Sequence, residues 1–323
     1  MLALYCDDNR QVALQELPAP QPAPGEALIR VTLAGICGTD LQILRGYHDF
    51  KGVMGHEFVG VVAGPPGSSW LGKRVVGEIN VSCGDCDLCR LGMPRHCRTR
   101  RVIGIKDRDG AFATYLTLPE ANLLAVPLQV EDEAAVFTEP LAAALAAVDA
   151  ARLPRKSPVL VVGDGRLGLL ISWALALSEA QVHLVGHHAE HLSLAEPYGV
   201  ATFLEKDLPP GDYAAVVETS GAAAGLDLAL ARVRPTGTVI MKSTYVEPYP
   251  LDSANLVVPE VRLIGSRCGP LGPALRLLAR GLINHRALID RRFPLSQGLE
   301  ALERAQRPGV LKVLLDCGRQ PGD

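Results

Sequence analysis

The chain has 323 residues, 48% of them hydrophobic and 21% charged, and a formal net charge of -3. This length is about twice that of a typical domain, so we expect two domains. The near-neutral charge offers no basic surface for nucleic acid or an acidic membrane. The most apolar run, 141–148, is shorter than a membrane-spanning helix. Neither nucleic acid nor a membrane is therefore an expected partner.

The first 140 residues carry short β-strand patterns. Four prolines between Pro18 and Gly25 predict a stiff connector. Strands are predicted at 27–33, 59–63 and 74–77, where apolar residues alternate or run briefly between turn residues. Short strands with dense turns are typical of a barrel or a sandwich. We therefore expect a β domain here.

Helix and strand patterns alternate from residue 141 onwards. An Ala-rich segment, 141–152, favours a helix, and the apolar run 158–162 predicts a strand buried on both faces. Further helices are predicted at 167–178, 189–198 and 222–232, and strands at 181–185, 213–217 and 238–241. This alternation predicts a parallel sheet. Residues 202–212 are too few for a full helix, which predicts a sheet trimmed on one side. The final strand pattern, 309–315, can join either sheet.

Four of the eight cysteines lie close together, at Cys83, Cys86, Cys89 and Cys97. Thiolates at this spacing can surround one zinc ion, and a polar loop of about residues 80–100 gains its order from such a metal. Four unrelated thiols or a disulfide frame are the alternatives. The N-terminus lacks a secretory pattern, so we expect a cytoplasmic protein with reduced thiols. Because all four ligands come from the protein, this zinc is expected to be structural.

A second set of candidate ligands is dispersed along the chain: Cys37, His56, Glu57 and Glu139. A catalytic zinc takes about three such ligands and keeps one position open. The ion lowers the pKa of a bound alcohol oxygen, which then can expel hydride. Spacing alone leaves ordinary alternatives open: a buried thiol, a surface turn and an acidic residue at a helix start.

A glycine-rich loop follows the predicted strand at 158–162. Gly163, Gly165 and Gly168 fit the G-x-G-x-x-G pattern, with Arg166 and Leu167 at the start of the next helix. In this context the glycines allow a tight turn and the helix amides face a dinucleotide pyrophosphate. A glycine turn without a ligand is the alternative.

The expected position of a ribose-binding acid follows the next strand. A carboxylate there, about 20 residues after the loop, is typical of NAD sites. The chain has Gly186, His187 and His188 instead, with no acidic residue after that strand until Glu190. The missing carboxylate favours NADP, whose 2′-phosphate the histidines can contact. An ordinary surface turn is the alternative.

These motifs, taken in order, resemble the zinc-containing medium-chain dehydrogenase/reductase family, the alcohol dehydrogenase superfamily. The resemblance rests on the motifs at 35–40 (GICGTD) and 55–60 (GHEFVG), the cysteine lobe, Glu139-Pro140, the glycine loop, and the motifs at 265–267 (GSR) and 309–312 (GVLK). It implies an α/β plus β fold. A GroES-like β-barrel catalytic domain would span 1–140, a Rossmann doubly wound parallel-sheet domain 141–265, and a return to the catalytic domain 266–323.

The resemblance also implies a ligand set for the dispersed site. Cys37 and His56 would bind zinc, with Glu57 and Glu139 as alternating or joint carboxylate ligands. Glu139 stands where classical alcohol dehydrogenases carry Cys, which is similar to the polyol and threonine dehydrogenase branch. Two zinc ions per chain are therefore expected.

Further residue roles are implied by the same resemblance. Thr39 would relay the substrate proton, Asp40 would orient His56, and Lys312 would lie near the cofactor phosphates. Many relatives continue the proton path through a His where this chain has Gln42. Water or His48 would then complete that path.

The implied activity is reversible hydride transfer between a secondary alcohol or polyol, or the matching carbonyl, and NAD(P). A homo-oligomer, dimer or tetramer, is expected. One alternative is a non-catalytic NAD(P)-binding regulator or assembly protein that retains the fold. Another is a zinc-free quinone or enoyl reductase of the same superfamily.

Overall fold

The computed structural model describes residues 1–47, 49–151, 156–245 and 247–318. The chain divides into two compact units. The first unit combines Met1–Glu139 with the chain from Leu271 onwards, and the second is Pro140–Pro270.

The strands and helices of the described residues are numbered in chain order. The strands are β1 (Leu2–Cys6), β2 (Val12–Glu16), β3 (Glu26–Gly35), β4 (Gly52–Val53), β5 (Glu57–Gly64), β6 (Arg74–Gly77), β7 (Asn80–Val81), β8 (Arg101–Val102), β9 (Tyr115–Pro119), β10 (Leu123–Ala125), β11 (Pro158–Val162), β12 (Gln181–Gly186), β13 (Ala201–Leu204), β14 (Tyr213–Glu218), β15 (Val233–Met241), β16 (Arg262–Gly265), β17 (Ile289–Pro294) and β18 (Lys312–Asp316). The helices are α1 (Gly38–Leu44), α2 (Asp87–Arg90), α3 (Asp132–Ala135), α4 (Thr138–Ala151), α5 (Arg166–Leu177), α6 (Ala189–Ser193), α7 (Ala223–Arg232), α8 (Ala254–Val257), α9 (Leu271–Ala279) and α10 (Gly298–Ala305).

The first unit is built mainly from β-sheets. Its largest sheet has the order β10-β6-β5-β3-β18-β17, with β9 also paired to β3. Alternate residues of β3 are fully buried, including Ile29, Val31 and Leu33, so one face of this long strand lies in the core. β18 pairs antiparallel with β3 and parallel with β17. The final strand pattern, for which the sequence left both sheets open, therefore joins this unit.

The second unit contains a parallel six-stranded sheet in the order β13-β12-β11-β14-β15-β16. This is the doubly wound order, with the reversal next to β11. The continuous apolar runs of β11 and β14 are buried, as expected for central parallel strands. The predicted trimming of the sheet is wrong. A 3₁₀ turn, Glu205–Asp207, takes the place of a helix between β13 and β14, and no strand is lost.

One predicted helix is shorter than the sequence pattern indicates. The segment 189–198 forms α6 and then a separate 3₁₀ turn, Glu196–Tyr198. Pro197 lies within that turn, and proline cannot donate the backbone hydrogen bond that a continuous α-helix requires. The Tyr198 ring still packs flat on Trp173 of α5, with ring centroids 4.9 Å apart.

Within the described part of the chain, one helical segment is long and apolar enough to span a membrane. The segment 132–151 has 20 residues, and its most apolar 18-residue window has mean hydropathy 1.4. The prediction that no segment is long enough to span a membrane is wrong. It rested on the uninterrupted run 141–148, but apolar residues continue between the polar residues on either side. Of the most apolar window, 61% is buried inside the protein, as in the core helix of a globular domain.

Candidate functional site

The four clustered cysteines converge in one loop of the first unit. The Cys83 and Cys97 sulfurs lie 3.5 Å apart, as do those of Cys86 and Cys89, and Cys86 and Cys97 are separated by 3.9 Å. Four sulfurs bound to one zinc at about 2.3 Å would stand about 3.8 Å apart. The loop therefore has the dimensions of a closed tetrahedral zinc site.

Backbone amides favour the thiolate form in part of this loop. Hydrogen bonds from the backbone of Asp85 and Cys86 lower the pKa of Cys83 to about 6. A bond from the Cys83 backbone lowers the pKa of Cys97, whereas burial raises that of Cys89 to about 11. All eight cysteines are free thiols, so none of them is held in a disulfide. The lowered pKa values of Cys83 and Cys97 favour the thiolate form, which is the form that binds a metal.

Three of the four dispersed candidate ligands, Cys37, His56 and Glu57, come together where β3 ends and β5 begins. Cys37 caps the N-terminus of α1, directly after β3, and Gly35 of β3 pairs with Glu57 of β5. This pairing brings His56 and Glu57 to the start of α1. One ligand atom from each of Cys37, His56 and Glu57 lies within 4.8 Å of the others. We call these three residues the dispersed cluster.

Asp40 connects the thiol-bearing turn to the imidazole. Its fully buried carboxylate accepts a 2.7 Å hydrogen bond from the Cys37 backbone, and its other oxygen lies 3.1 Å from His56 Nδ1. Burial acts to lower the pKa of His56, but Asp40 and Cys37 hold this pKa well above its usual value. A carboxylate on Nδ1 leaves Nε2 for a metal, which is the usual arrangement for a ligating histidine.

Glu57 forms a buried ion pair with Lys312. Its Oε2 accepts from the Lys312 ammonium, which also donates a 3.2 Å hydrogen bond to Ile36 O, and both charged side chains are 1% exposed. Glu57 Oε1 is buried and has no hydrogen-bond partner among the residues that the structure describes. A buried carboxylate oxygen without a partner is costly. The Cys37 thiol, the His56 imidazole and the Glu57 carboxylate together fit a divalent zinc ion.

This position of Lys312 differs from what the resemblance implied. The resemblance put its ammonium near the cofactor phosphates. Because β18 pairs with β3, the Lys312 side chain instead lies in the interior of the first unit. There its ammonium forms an ion pair with the Glu57 carboxylate. Its partner was not apparent from sequence, since 255 residues separate the two.

Glu139 and Thr39 lie near the dispersed cluster without belonging to it. Burial raises the pKa of Glu139 to about 7, and its neighbours His56 and Lys312 oppose this shift while Glu57 adds to it. Glu139 is outside the 4.8 Å group, so Glu57 is the nearer carboxylate. Thr39 Oγ1 lies 3.9 Å from Cys37 Sγ. The predicted alternative proton carrier, His48, lies outside the described residues.

The glycine loop has the tight turn that its sequence predicts. Gly163 has φ +110°, in the region that favours glycine, and a Cβ on Gly168 would lie 1.9 Å from Gly163 O. Gly165 caps the start of α5, and a Cβ there would meet nothing within 4 Å. The turn and the helix start therefore leave open space in front of Gly165, while Arg166 and Leu167 begin the helix.

An acidic residue that the sequence did not predict as a site residue lies within this loop. Asp164, 6% exposed, accepts hydrogen bonds on Oδ2 from the backbone of His187 (2.9 Å) and His188 (2.6 Å), and His188 Nδ1 is 3.1 Å away. Asp164 occupies a variable position of the G-x-G-x-x-G pattern, so the pattern itself gives it no role. A charged residue between the first two glycines of the loop was the feature of the sequence that could have indicated a site residue here. Asp164, His188 and His191 also form a group within 4.8 Å.

A surface cavity opens beside the end of β12. Its volume is about 530 Å³, and its lining residues are Gly186, His187, Leu204, Glu205 and Lys206. His187 Nε2 lies 3.3 Å from Glu205. The predicted cofactor residues Gly186 and His187 thus border a cavity, and His188 contacts the glycine loop through Asp164.

Comparisons with known proteins identify the family of this chain. Residues 23–128 match the family model of the alcohol dehydrogenase GroES-like domain. The chain is 30% identical to an erythritol/L-threitol dehydrogenase of Mycolicibacterium smegmatis, over 94% of this chain and 93% of that protein.

Solved structures give the same result. A structure from Sinorhizobium meliloti 1021, assigned as a zinc-binding dehydrogenase and bound to NADP, has TM-score 0.89 at 29% identity and covers 98% of both chains. An alcohol dehydrogenase of Escherichia coli CFT073 complexed with NADH has TM-score 0.89 at 27% identity, over 98% of this chain and 99% of that chain. These matches confirm the predicted GroES-like and Rossmann fold. The chain belongs to the zinc-containing medium-chain dehydrogenase family, in its polyol dehydrogenase branch, and is an NAD(P)-dependent dehydrogenase.

Proposed function

We propose that the chain transfers hydride reversibly between a secondary alcohol or polyol, or the matching carbonyl, and NAD(P), with Cys37, His56 and Glu57 holding a catalytic zinc. The observation that carries this proposal is the buried Glu57 carboxylate, whose Oε1 has no hydrogen-bond partner among the described residues, in one group with the Cys37 thiol and the His56 imidazole. An oxygen left without a partner in the interior is expected only where a ligand compensates its charge. A zinc ion there would lower the pKa of an alcohol oxygen and polarise a carbonyl.

The surrounding side chains orient and balance this site. Asp40 accepts from the Cys37 backbone and lies on His56 Nδ1, so it fixes both the turn and the imidazole. Lys312 balances the charge of Glu57 through its ion pair with Oε2. Thr39, next to the Cys37 sulfur, is the hydroxyl placed to pass on the substrate proton. Glu139 serves as a nearby carboxylate that can exchange with Glu57.

A second zinc in the four-cysteine loop has a structural role in this proposal. All of its ligands come from the protein, so it keeps no position for a substrate. The loop has little apolar burial of its own, and the metal supplies its order. The reduced thiols that this site requires agree with a cytoplasmic location.

The glycine loop and the end of β12 bind the dinucleotide in this proposal. Gly163, Gly165 and Gly168 allow the pyrophosphate to approach the first amides of α5, where Arg166 and Leu167 lie. Gly186, His187 and His188 would contact the adenosine ribose. The preference for NADP, drawn from these three residues alone, stays a prediction.

The expected partner is a small hydroxylated or carbonyl compound. Neither nucleic acid nor a membrane is expected as a partner, because the net charge of -3 gives no basic surface. A homo-oligomer, dimer or tetramer, is proposed from the family resemblance.

Metal analysis combined with dinucleotide reduction tests this function. We expect two zinc ions per chain and reduction of NAD(P)⁺ with secondary alcohols or polyols in a panel that includes simple alcohols. Two zinc ions without turnover of any alcohol, polyol or carbonyl would favour the non-catalytic regulator. One zinc ion, with turnover of quinones or enoyl compounds only, would favour the zinc-free reductase.

A further inference from the structure

The Asp164 side chain fills the space next to Gly186, the last residue of β12, where a ribose-binding side chain would otherwise lie. A Cβ built on Gly186 would lie 2.3 Å from Asp164 Cγ and 2.5 Å from its Oδ2. No side chain can therefore begin at residue 186 while Asp164 keeps its position. The carboxylate at this edge of the sheet therefore comes from Asp164 in the glycine loop, whereas Gly186 at the end of β12 supplies none.

The Asp164 carboxylate is held firmly at this edge of the sheet. Two backbone amides, of His187 and His188, donate to Oδ2, and His188 Nδ1 contacts the same oxygen. All three contacts fall on Oδ2, so Oδ1 keeps its capacity to accept from a bound ligand. A carboxylate fixed by backbone donors costs little further entropy when it binds.

We propose that Asp164 is the ribose-reading acid of this chain and selects NAD over NADP. The proposal rests on the proposed dinucleotide-binding function and deepens it. In Rossmann sites a carboxylate at this edge accepts hydrogen bonds from the ribose hydroxyls of NAD. The same charge repels the 2′-phosphate of NADP. The NADP preference inferred from residues 186–188 overlooked this carboxylate, because it comes from a different segment of the chain.

Charges around the neighbouring cavity support the same selection. Glu205 lies in the cavity wall and pairs with His187, so one of the two histidines expected to meet a phosphate already has an acidic partner. His188 likewise contacts Asp164. Lys206 is the remaining cation of the cavity lining. A 2′-phosphate in this cavity would meet the Glu205 carboxylate, with the Asp164 carboxylate behind the strand end that lines it.

A metal ion is the competing occupant. Asp164, His188 and His191 each offer one ligand atom within 4.8 Å of the others. However, Oδ2 of Asp164 already accepts two backbone hydrogen bonds, which tie the glycine loop to β12. A ribose needs only the other oxygen, so the observations favour the dinucleotide.

Calorimetric titration of the zinc-loaded full chain with ADP-ribose and with 2′-phospho-ADP-ribose tests the proposal. These probes lack nicotinamide, so their binding does not depend on turnover. We expect the wild type to bind ADP-ribose at least about tenfold more tightly. Asp164→Asn keeps an acceptor for the backbone amides and should reduce this ratio about tenfold with an unchanged melting temperature.

A double variant provides the positive control. Asp164→Gly removes the carboxylate and the obstacle, and Gly186→Asp then restores an acid from the strand. We expect Asp164→Gly alone to lose the preference and Asp164→Gly/Gly186→Asp to regain it. His191→Gln, which affects only the metal alternative, should leave the ratio unchanged.

Three results would overturn the proposal. The first is a wild type that prefers 2′-phospho-ADP-ribose, and the second is an Asp164→Asn ratio equal to that of the wild type. The third is a further zinc ion lost in both Asp164→Asn and His191→Gln, which would assign the group to a metal. A wild type that binds neither probe would refute the proposed dinucleotide function as well. If the two probes bind with the expected affinity ratio but no alcohol is turned over, the proposed reaction is refuted and the role of Asp164 is retained.

Discussion

The two metal-binding groups of the first unit differ in how the chain builds them. The four cysteines lie in one polar loop, with sulfur separations of 3.5 to 3.9 Å. The dispersed cluster instead joins a helix start to the beginning of β5, is mostly buried, and depends on an ammonium from β18. A contiguous group can hold a metal through local geometry, whereas a dispersed group exists only after the sheet has formed. The first is therefore suited to stabilising the fold and the second to chemistry.

The largest expected effect separates the two groups by function. Cys37→Ser should lower kcat/KM by about 10³-fold, equivalent to about 4 kcal/mol, because zinc is lost from the proposed catalytic site. Cys97→Ser should also lose a zinc ion but should lower the melting temperature instead, with kcat/KM of the folded fraction within about tenfold of the wild type. Zinc analysis, thermal unfolding and steady-state kinetics of both variants measure this. Equal losses of activity in the two variants would contradict the division of roles.

The next effect concerns the buried ion pair. Lys312→Met leaves the Glu57 carboxylate without its ammonium and should destabilise the zinc-free protein by about 3–5 kcal/mol in urea unfolding. The loss should be smaller in the zinc-loaded protein, because the ion also balances Glu57.

Lys51→Met is the matched control for that variant. Lys51 pairs with Asp8 at the surface, where both side chains are more than half exposed, and its removal should not change stability measurably. Weakened dinucleotide binding by Lys312→Met without loss of stability would place Lys312 at the cofactor instead.

A smaller effect is expected from the residue that orients the imidazole. Asp40→Asn keeps the size of the side chain but weakens its hold on His56, and it should lower zinc affinity or kcat/KM by about 10–100-fold. Asp290→Asn, which alters a carboxylate bound to Arg304 in the same unit, serves as the control and should leave both quantities unchanged. Competition with a zinc-binding dye measures the affinity. The account of Asp40 fails if the two variants behave alike.

The smallest effect distinguishes the two candidate carboxylate ligands. Glu139 lies outside the 4.8 Å group, so Glu139→Gln should lower kcat/KM by less than about tenfold and keep both zinc ions. Loss of one zinc ion in Glu139→Gln would show that Glu139, rather than Glu57, is the resident ligand.

The features that sequence predicted well are those encoded within one segment. The cysteine loop and the glycine loop follow from spacing and from the flanking strand and helix. The family resemblance also indicated the dispersed ligands, although their spacing alone left ordinary alternatives open. The parallel sheet followed from alternating patterns, but its predicted trimming failed because a 3₁₀ turn replaces a helix without removing a strand.

The features that sequence missed depend on contacts between distant segments. Lys312 meets Glu57 only because β18 lies beside β3, and no local pattern specifies that neighbour. Asp164 reaches the end of β12 because parallel pairing aligns Val162 with Val185. Residues 186–188 alone therefore predict no carboxylate at this position, whereas the structure places that of Asp164 there.

X-ray absorption at the zinc edge tests the central claim most directly, in the Cys83→Ser/Cys97→Ser variant that lacks two ligands of the cysteine loop. The account predicts one remaining zinc ion per chain, coordinated by one sulfur together with nitrogen and oxygen, as Cys37, His56 and Glu57 would supply. A remaining zinc coordinated mainly by sulfur, or no zinc in a folded variant, would contradict it.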